Sequence, residues 1–216
     1  VNRSIHHLTH QIANPDKGFA MAVRLESGDG QDGGGGFRIG IKSELNEYRS
    51  NCFAKRGIDA GINIDQNQLF IGDKSVQISP GKIGEKTLIL SGRPNGTQID
   101  LTLTLGNNAA SVTQSVPANA TLGNVALVSQ YSGISKKTRG QSRGYRFTDW
   151  ELEGDAFKIN PQQTFGPLLW SMYTLSDSRS DKGFIMKMSA LTGPLGQNDN
   201  QTVELQIEEN GNWKSL

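Results

Sequence analysis

The strongest constraint on this chain is a polar–apolar alternation of period two that recurs along it, with almost no competing period of 3.6. Thr97–Leu105 shows it best: Ile99, Leu101, Leu103 and Leu105 alternate with Asp100, Thr102 and Thr104. Successive side chains of an extended strand point to opposite faces, so such a segment buries one face and wets the other. Phe37–Lys42 repeats the pattern, and so does Gly144–Glu153, where strict alternation puts Tyr145 and Phe147 opposite Trp150 and Leu152. Apolar runs at Gly18–Glu26, Asn51–Ile64, Gln68–Gly72, Ser75–Ile78, Lys86–Gly92, Ser111–Val116 and Asn124–Tyr131 add further strands. Glycine numbers 26 of 216 residues and proline only 7, which fits tight turns between short strands rather than a disordered chain. The expected class is all-β, an antiparallel sandwich.

Only Ser4–Ile12 suggests a helix, with Ser4 as N-cap and Pro15 just past its end. Its His6 and His10 then share a helix face at a spacing suited to two metal ligands, without a third. Ser27–Gly36 reads as a glycine-rich loop. Gly33–Gly36 in it is no phosphate cradle, because no Lys-Ser/Thr and no helix follow. Asp29 and Asp32 supply hard oxygen donors there, so a structural calcium ion is the one cofactor the composition suggests. Asp59, Asp65 and Asp149 are alternative donors. Cys52 has no partner for an internal disulfide.

Charge narrows the partners. Lys and Arg total 22 and Asp and Glu 21, a net of +1, with no basic stripe, so nucleic acid is not expected. No apolar run is long enough for a membrane-spanning helix. Tyr131, Tyr145 and Trp150 are the candidate sugar-stacking residues, since ring faces receive sugar C–H groups; the competing reading puts them in the core. The order along the chain implies a sandwich over residues 1–159. Residues 160–216 then form a linker and a short C-terminal β segment with the apolar stretch Phe165–Leu175 and a hairpin turn at Asn210-Gly211.

Two regions carry a family likeness. Phe147-Thr148-Asp149-Trp150-Glu151-Leu152-Glu153-Gly154 resembles a strand of concanavalin A-like and laminin-G-like jelly rolls. Phe165–Trp170, Tyr173–Ser176 and Gly193–Val203 resemble the region upstream of the catalytic domain in bacterial alkaline-phosphatase-D-like metallophosphatases. The likeness covers about residues 123–216. It implies a secreted or periplasmic protein, a downstream catalytic domain as partner, and a polysaccharide or other glycan as ligand. The metal-binding motifs of that family, D-x-H, G-D-x-x-Y and G-N-H, are absent, so no catalytic residue carries over, and the resemblance implies a chain that stops inside the β segment that would precede the enzyme. The expected function is therefore a non-catalytic ancillary module of a secreted hydrolase, carbohydrate-binding or architectural. The alternatives are a polysaccharide-active enzyme of the same fold, for which alternation separates Tyr145 from Arg146, and a protein-interaction module.

Overall fold

The computed structural model describes residues 3–27, 33–42, 57–79, 86–106, 110–129, 131, 145–161, 168–177, 181, 183–192, 197 and 200–216. Cys52, Asp29 and Asp32, with the calcium reading attached to those two carboxylates, lie outside them. The chain divides into two compact units, Val1–Gln163 and Thr164–Leu216.

The first unit is an all-β sandwich. Its strands are β1 (Arg3–Ile12), β2 (Phe19–Ser27), β3 (Gly34–Ile41), β4 (Ile58–Asn63), β5 (Gln68–Ile71), β6 (Lys74–Gln77), β7 (Lys86–Asn95), β8 (Gln98–Leu105), β9 (Ala110–Pro117), β10 (Gly123–Ser129), β11 (Tyr145–Glu153) and β12 (Phe157–Ile159). A seven-stranded antiparallel sheet runs β12-β1-β10-β3-β4-β5-β6, and a five-stranded one runs β11-β2-β7-β8-β9. Alternation does the sorting that the sequence predicts. Ile99, Leu101 and Leu103 of β8 are fully buried and share one core with Phe37, Ile39, Ile62, Leu69 and Ile71 from the facing sheet. Burying each such side chain contributes about 1.5–3 kcal/mol.

Three local expectations are corrected. Ser4–Ile12 is strand, not helix. Its first half pairs with β10, Ser4 opposite Val128 and His6 opposite Ala126, and ladder bonds outweigh a single weak cap signal. The glycine cluster does not form a loop to its end, because Gly34–Gly36 are the first residues of β3 and are buried. A Cβ on Gly35 would strike the Tyr145 ring, and one on Gly36 would strike the β4 backbone at Gly61. Glycine is used here for close approach inside a sheet, not for a turn. In β11 the register shifts between Thr148 and Glu151, and Asp149 adopts φ 52°. This bulge returns Trp150 and Leu152 to the face of Tyr145 and Phe147, and all four pack against the core.

The second unit holds two hairpins, β13 (Leu168–Ser176) with β14 (Ile185–Thr192), and β15 (Gln206–Glu209) with β16 (Asn212–Ser215). Asn210 and Gly211 take φ values of 53° and 79°, the double left-handed turn that suits a two-residue hairpin.

Candidate functional site

Register across the large sheet builds the site. Arg38 on β3 lies opposite Asp59 on β4, and on its other side opposite Ala126 on β10, which in turn faces His6 on β1. His6, Ala126, Arg38 and Asp59 thus form one cross-strand row on the face turned away from the other sheet. The next row holds Val128, Gly36, Gly61 and Phe70, and beyond it Asn63 pairs with Gln68.

Over β3 this outer face is itself closed. All eight residues of β3 are buried, so Arg38 sits in a protein interior with its side chain only 3% exposed. It is neutralised by Asp59 in a two-pronged contact, Nε to Oδ1 at 2.5 Å and Nη2 to Oδ2 at 2.8 Å. Such paired, parallel bonds fix the carboxylate in orientation as well as in charge. Asp59 keeps 29% of its side chain exposed.

Tyr131 lies over the adjacent glycine pair. Its hydroxyl reaches the carbonyl oxygens of Phe37 at 3.0 Å and Ala60 at 3.1 Å, and donates its one proton between them. Its ring packs edge-on to Phe70, with centroids 5.2 Å apart. Burial, reinforced by the Asp59 charge, pushes the phenol well above its ordinary pKa of 10. Burial, and secondarily the Arg38 charge, holds His6 below its ordinary 6.5, so its neutral form is favoured.

Asp59 opens into a cleft of about 520 Å³ at the β5–β6 end of the sheet. Amides line it: Asn63, Gln66 and Gln68 on the sheet side and Gln114 from β9, with Phe70 and Ser75. Asn63 donates to Gln66 Oε1 at 2.9 Å and accepts from the Gln66 backbone N–H at 3.3 Å, which locks that turn. Gln114 Nε2 donates to Asp73 Oδ1 at 2.7 Å.

The three aromatics expected to stack on sugar do not share one surface. Tyr131 is 4% exposed with its ring covered. Tyr145 lies on the opposite face of the sheet, over Gly35, with its hydroxyl on the Gly33 carbonyl at 3.2 Å. Trp150 packs against the core and against His7, ring centroids 5.0 Å apart. Of the alternative oxygen donors, Asp59 is taken by Arg38, and Asp149 pairs with Arg24 at 3.2 Å. No group of three His, Cys, Asp or Glu side chains gathers among the described residues. The Arg38–Asp59 pair is not legible in the sequence because it depends on register between strands that a long connection separates. Its only trace was an Arg between Phe37 and Ile39 in an otherwise apolar strand.

No family model and no curated protein matches the chain. Solved structures do. A scytalido-glutamic peptidase with a transition-state analog inhibitor is similar over 88% of this chain and 100% of its own, at 14% identity and a TM-score of 0.37. A second structure of that peptidase, with a peptide-based transition-state analog, is similar over 87% and 100%, at 13% identity and a TM-score of 0.35. Both matches run the whole length of a peptidase chain, and on that finding the expectation of a non-catalytic ancillary module is corrected. At these TM-scores they assign no role to any residue here.

Proposed function

We propose that the Asp59 cleft is the reaction centre of a hydrolase acting on extended polypeptide. The observation that carries this reading is a part-exposed carboxylate, clamped by a buried guanidinium, at the edge of an amide-lined cleft. Arg38 fixes the orientation of the carboxylate, which can hold a water molecule and take its proton as the oxygen attacks a carbonyl carbon. The same proton then leaves with the amine when the C–N bond breaks. Side-chain amides offer both donors and acceptors, the complement of a peptide backbone, and amide N–H groups also suit a developing oxyanion. Strand β6 ends the large sheet beside the cleft, and an edge strand is a ready template for an extended chain.

The test is incubation of the intact chain with a mixture of unstructured peptides from pH 3 to pH 8, with products read by mass spectrometry. Cleavage is expected, and Asp59→Asn, which keeps one acceptor toward Arg38, should abolish it with the circular dichroism spectrum unchanged. No cleavage at any pH, or equal cleavage by the variant, overturns the reading.

A further inference from the structure

A second cluster lies away from that cleft, in the irregular half of β1. Residues three apart on a regular strand point to opposite faces, yet the His7 and His10 rings meet, with centroids 4.4 Å apart and planes at 77°. The register break between His6 and Gln11 is what brings them together. The pair is therefore His7 with His10, not the His6 with His10 that a helix would align.

One hydroxyl sits between them. Thr9 Oγ1 is 2.8 Å from His10 Nδ1 and 3.4 Å from His7 Nδ1. A hydroxyl has one hydrogen, so it donates to one Nδ1 and accepts from the other. Both Nδ1 atoms are thereby directed at the same small region. We propose that His7, Thr9 and His10 form a binding site for a borderline divalent transition-metal cation, with Cu²⁺ the tightest ligand and Zn²⁺ next.

The spacing suits the task. With metal–nitrogen bonds of about 2.0 Å and ring centres roughly 1.1 Å beyond, a nitrogen–metal–nitrogen angle of about 90°, as in tetragonal Cu²⁺, sets the centroids ~4.4 Å apart, and the tetrahedral angle of Zn²⁺ sets them ~5 Å apart. Imidazole suits copper and zinc, whereas magnesium and calcium prefer oxygen, and the order of affinities puts Cu²⁺ above Zn²⁺. Thr9 supplies a weak third donor and water the remainder, since no third imidazole, thiolate or carboxylate gathers with the pair among the described residues. Both histidines are only part-buried, so a cation can enter. Binding moves the one Nδ1 proton to Nε2 of the same ring, so two neutral imidazoles release no proton. The rings are braced by Trp150 at 5.0 Å from His7 and Phe157 at 6.0 Å from His10.

Trp150 also reports the event. The metal-free full chain is titrated with Cu²⁺, with Zn²⁺, and with Mg²⁺ as control, following tryptophan fluorescence and Tm. Saturable one-to-one quenching by Cu²⁺ well below ~100 µM is expected, with a rise in Tm for Cu²⁺ and Zn²⁺ and none for Mg²⁺. His7→Phe and His10→Phe keep a ring against Trp150 and Phe157 and should each weaken Cu²⁺ at least about tenfold, whereas His6→Gln should not. Electron paramagnetic resonance of the Cu²⁺-loaded wild type should show two imidazole nitrogens, a readout that needs no variant. No saturable binding below that limit, undiminished affinity in the Phe variants, or a spectrum with fewer than two nitrogens overturns the proposal.

Discussion

Removing either member of the Arg38–Asp59 pair should destabilise the sandwich unequally. Asp59→Ala takes away the two carboxylate oxygens that accept from Arg38 Nε and Nη2. The Arg38 side chain is 3% exposed, so it cannot turn to water in compensation. Breaking a buried pair from one side costs about 3–5 kcal/mol, mostly the penalty of the charge left behind. Asp59 itself is 29% exposed, which admits some water to the gap, so about 3 kcal/mol is expected. Arg38→Met is the opposite case. It removes the buried charge, fills the stem volume with an apolar chain, and leaves a carboxylate that the cleft can hydrate, at about 1 kcal/mol. Urea unfolding separates the two. With a slope near ~2 kcal/mol per molar, the midpoint falls by roughly 1.5 M for Asp59→Ala and roughly 0.5 M for Arg38→Met. If Arg38→Met is as damaging as Asp59→Ala, burial of the guanidinium is not the governing term, and the reasoning fails.

Other outcomes follow from neighbouring geometry. Tyr131→Phe keeps the ring but removes the hydroxyl on Phe37 and Ala60, and should cost about 1–2 kcal/mol in urea midpoint at pH 8. The raised Tyr131 pKa means the folded state keeps a proton that the unfolded state loses above pH 10, so wild-type stability is full below pH 10 and declines above it. The variant should lack that part of the alkaline decline, and equal slopes between pH 9 and pH 11 would refute the assignment. Gly61→Ala would set a Cβ against the Gly35 carbonyl and 2.7 Å from the Tyr131 hydroxyl, a loss of about 3 kcal/mol by thermal melting. Gly96→Ala has nothing within 4 Å and bears only the strain of φ 63°, about 1 kcal/mol; a larger loss than for Gly61→Ala would contradict the packing argument. Leu101→Ala, at 0% exposure in the shared core, should cost about 2–5 kcal/mol in the same assay.

What the sequence disclosed tracks how local each interaction is. Thr97–Leu105 becomes a strand with its Ile and Leu residues buried because period-two burial is written within nine residues. The Asn210-Gly211 turn is equally local. The β11 faces depart from strict alternation because one residue, Asp149, enters a left-handed conformation and shifts the phase for everything after it. Nothing in F-T-D-W-E marks that step. β1 departs from its local pattern for the opposite reason. Its helix signal was local, and the pairing with β10 that overrides it joins residues more than a hundred positions apart.

Glycine joins these segments to the candidate site. Composition assigns its excess to turns, and Gly96 and Gly211 are such cases. Gly35, Gly36 and Gly61 are not. They lie inside strands, where a Cβ would strike Tyr145, the β4 backbone or the Tyr131 hydroxyl. Leaving out the side chains of Gly36 and Gly61 lets Tyr131 lie on the outer face of the sheet and helps close it above β3. Closure takes water away from Arg38, and a guanidinium without water requires a fixed carboxylate, which Asp59 provides. The orientation of the one carboxylate proposed to react therefore depends on glycines that never touch it. Gly61→Ala should accordingly disturb hydrolysis and the Arg38–Asp59 geometry together, even in preparations where the sandwich still folds.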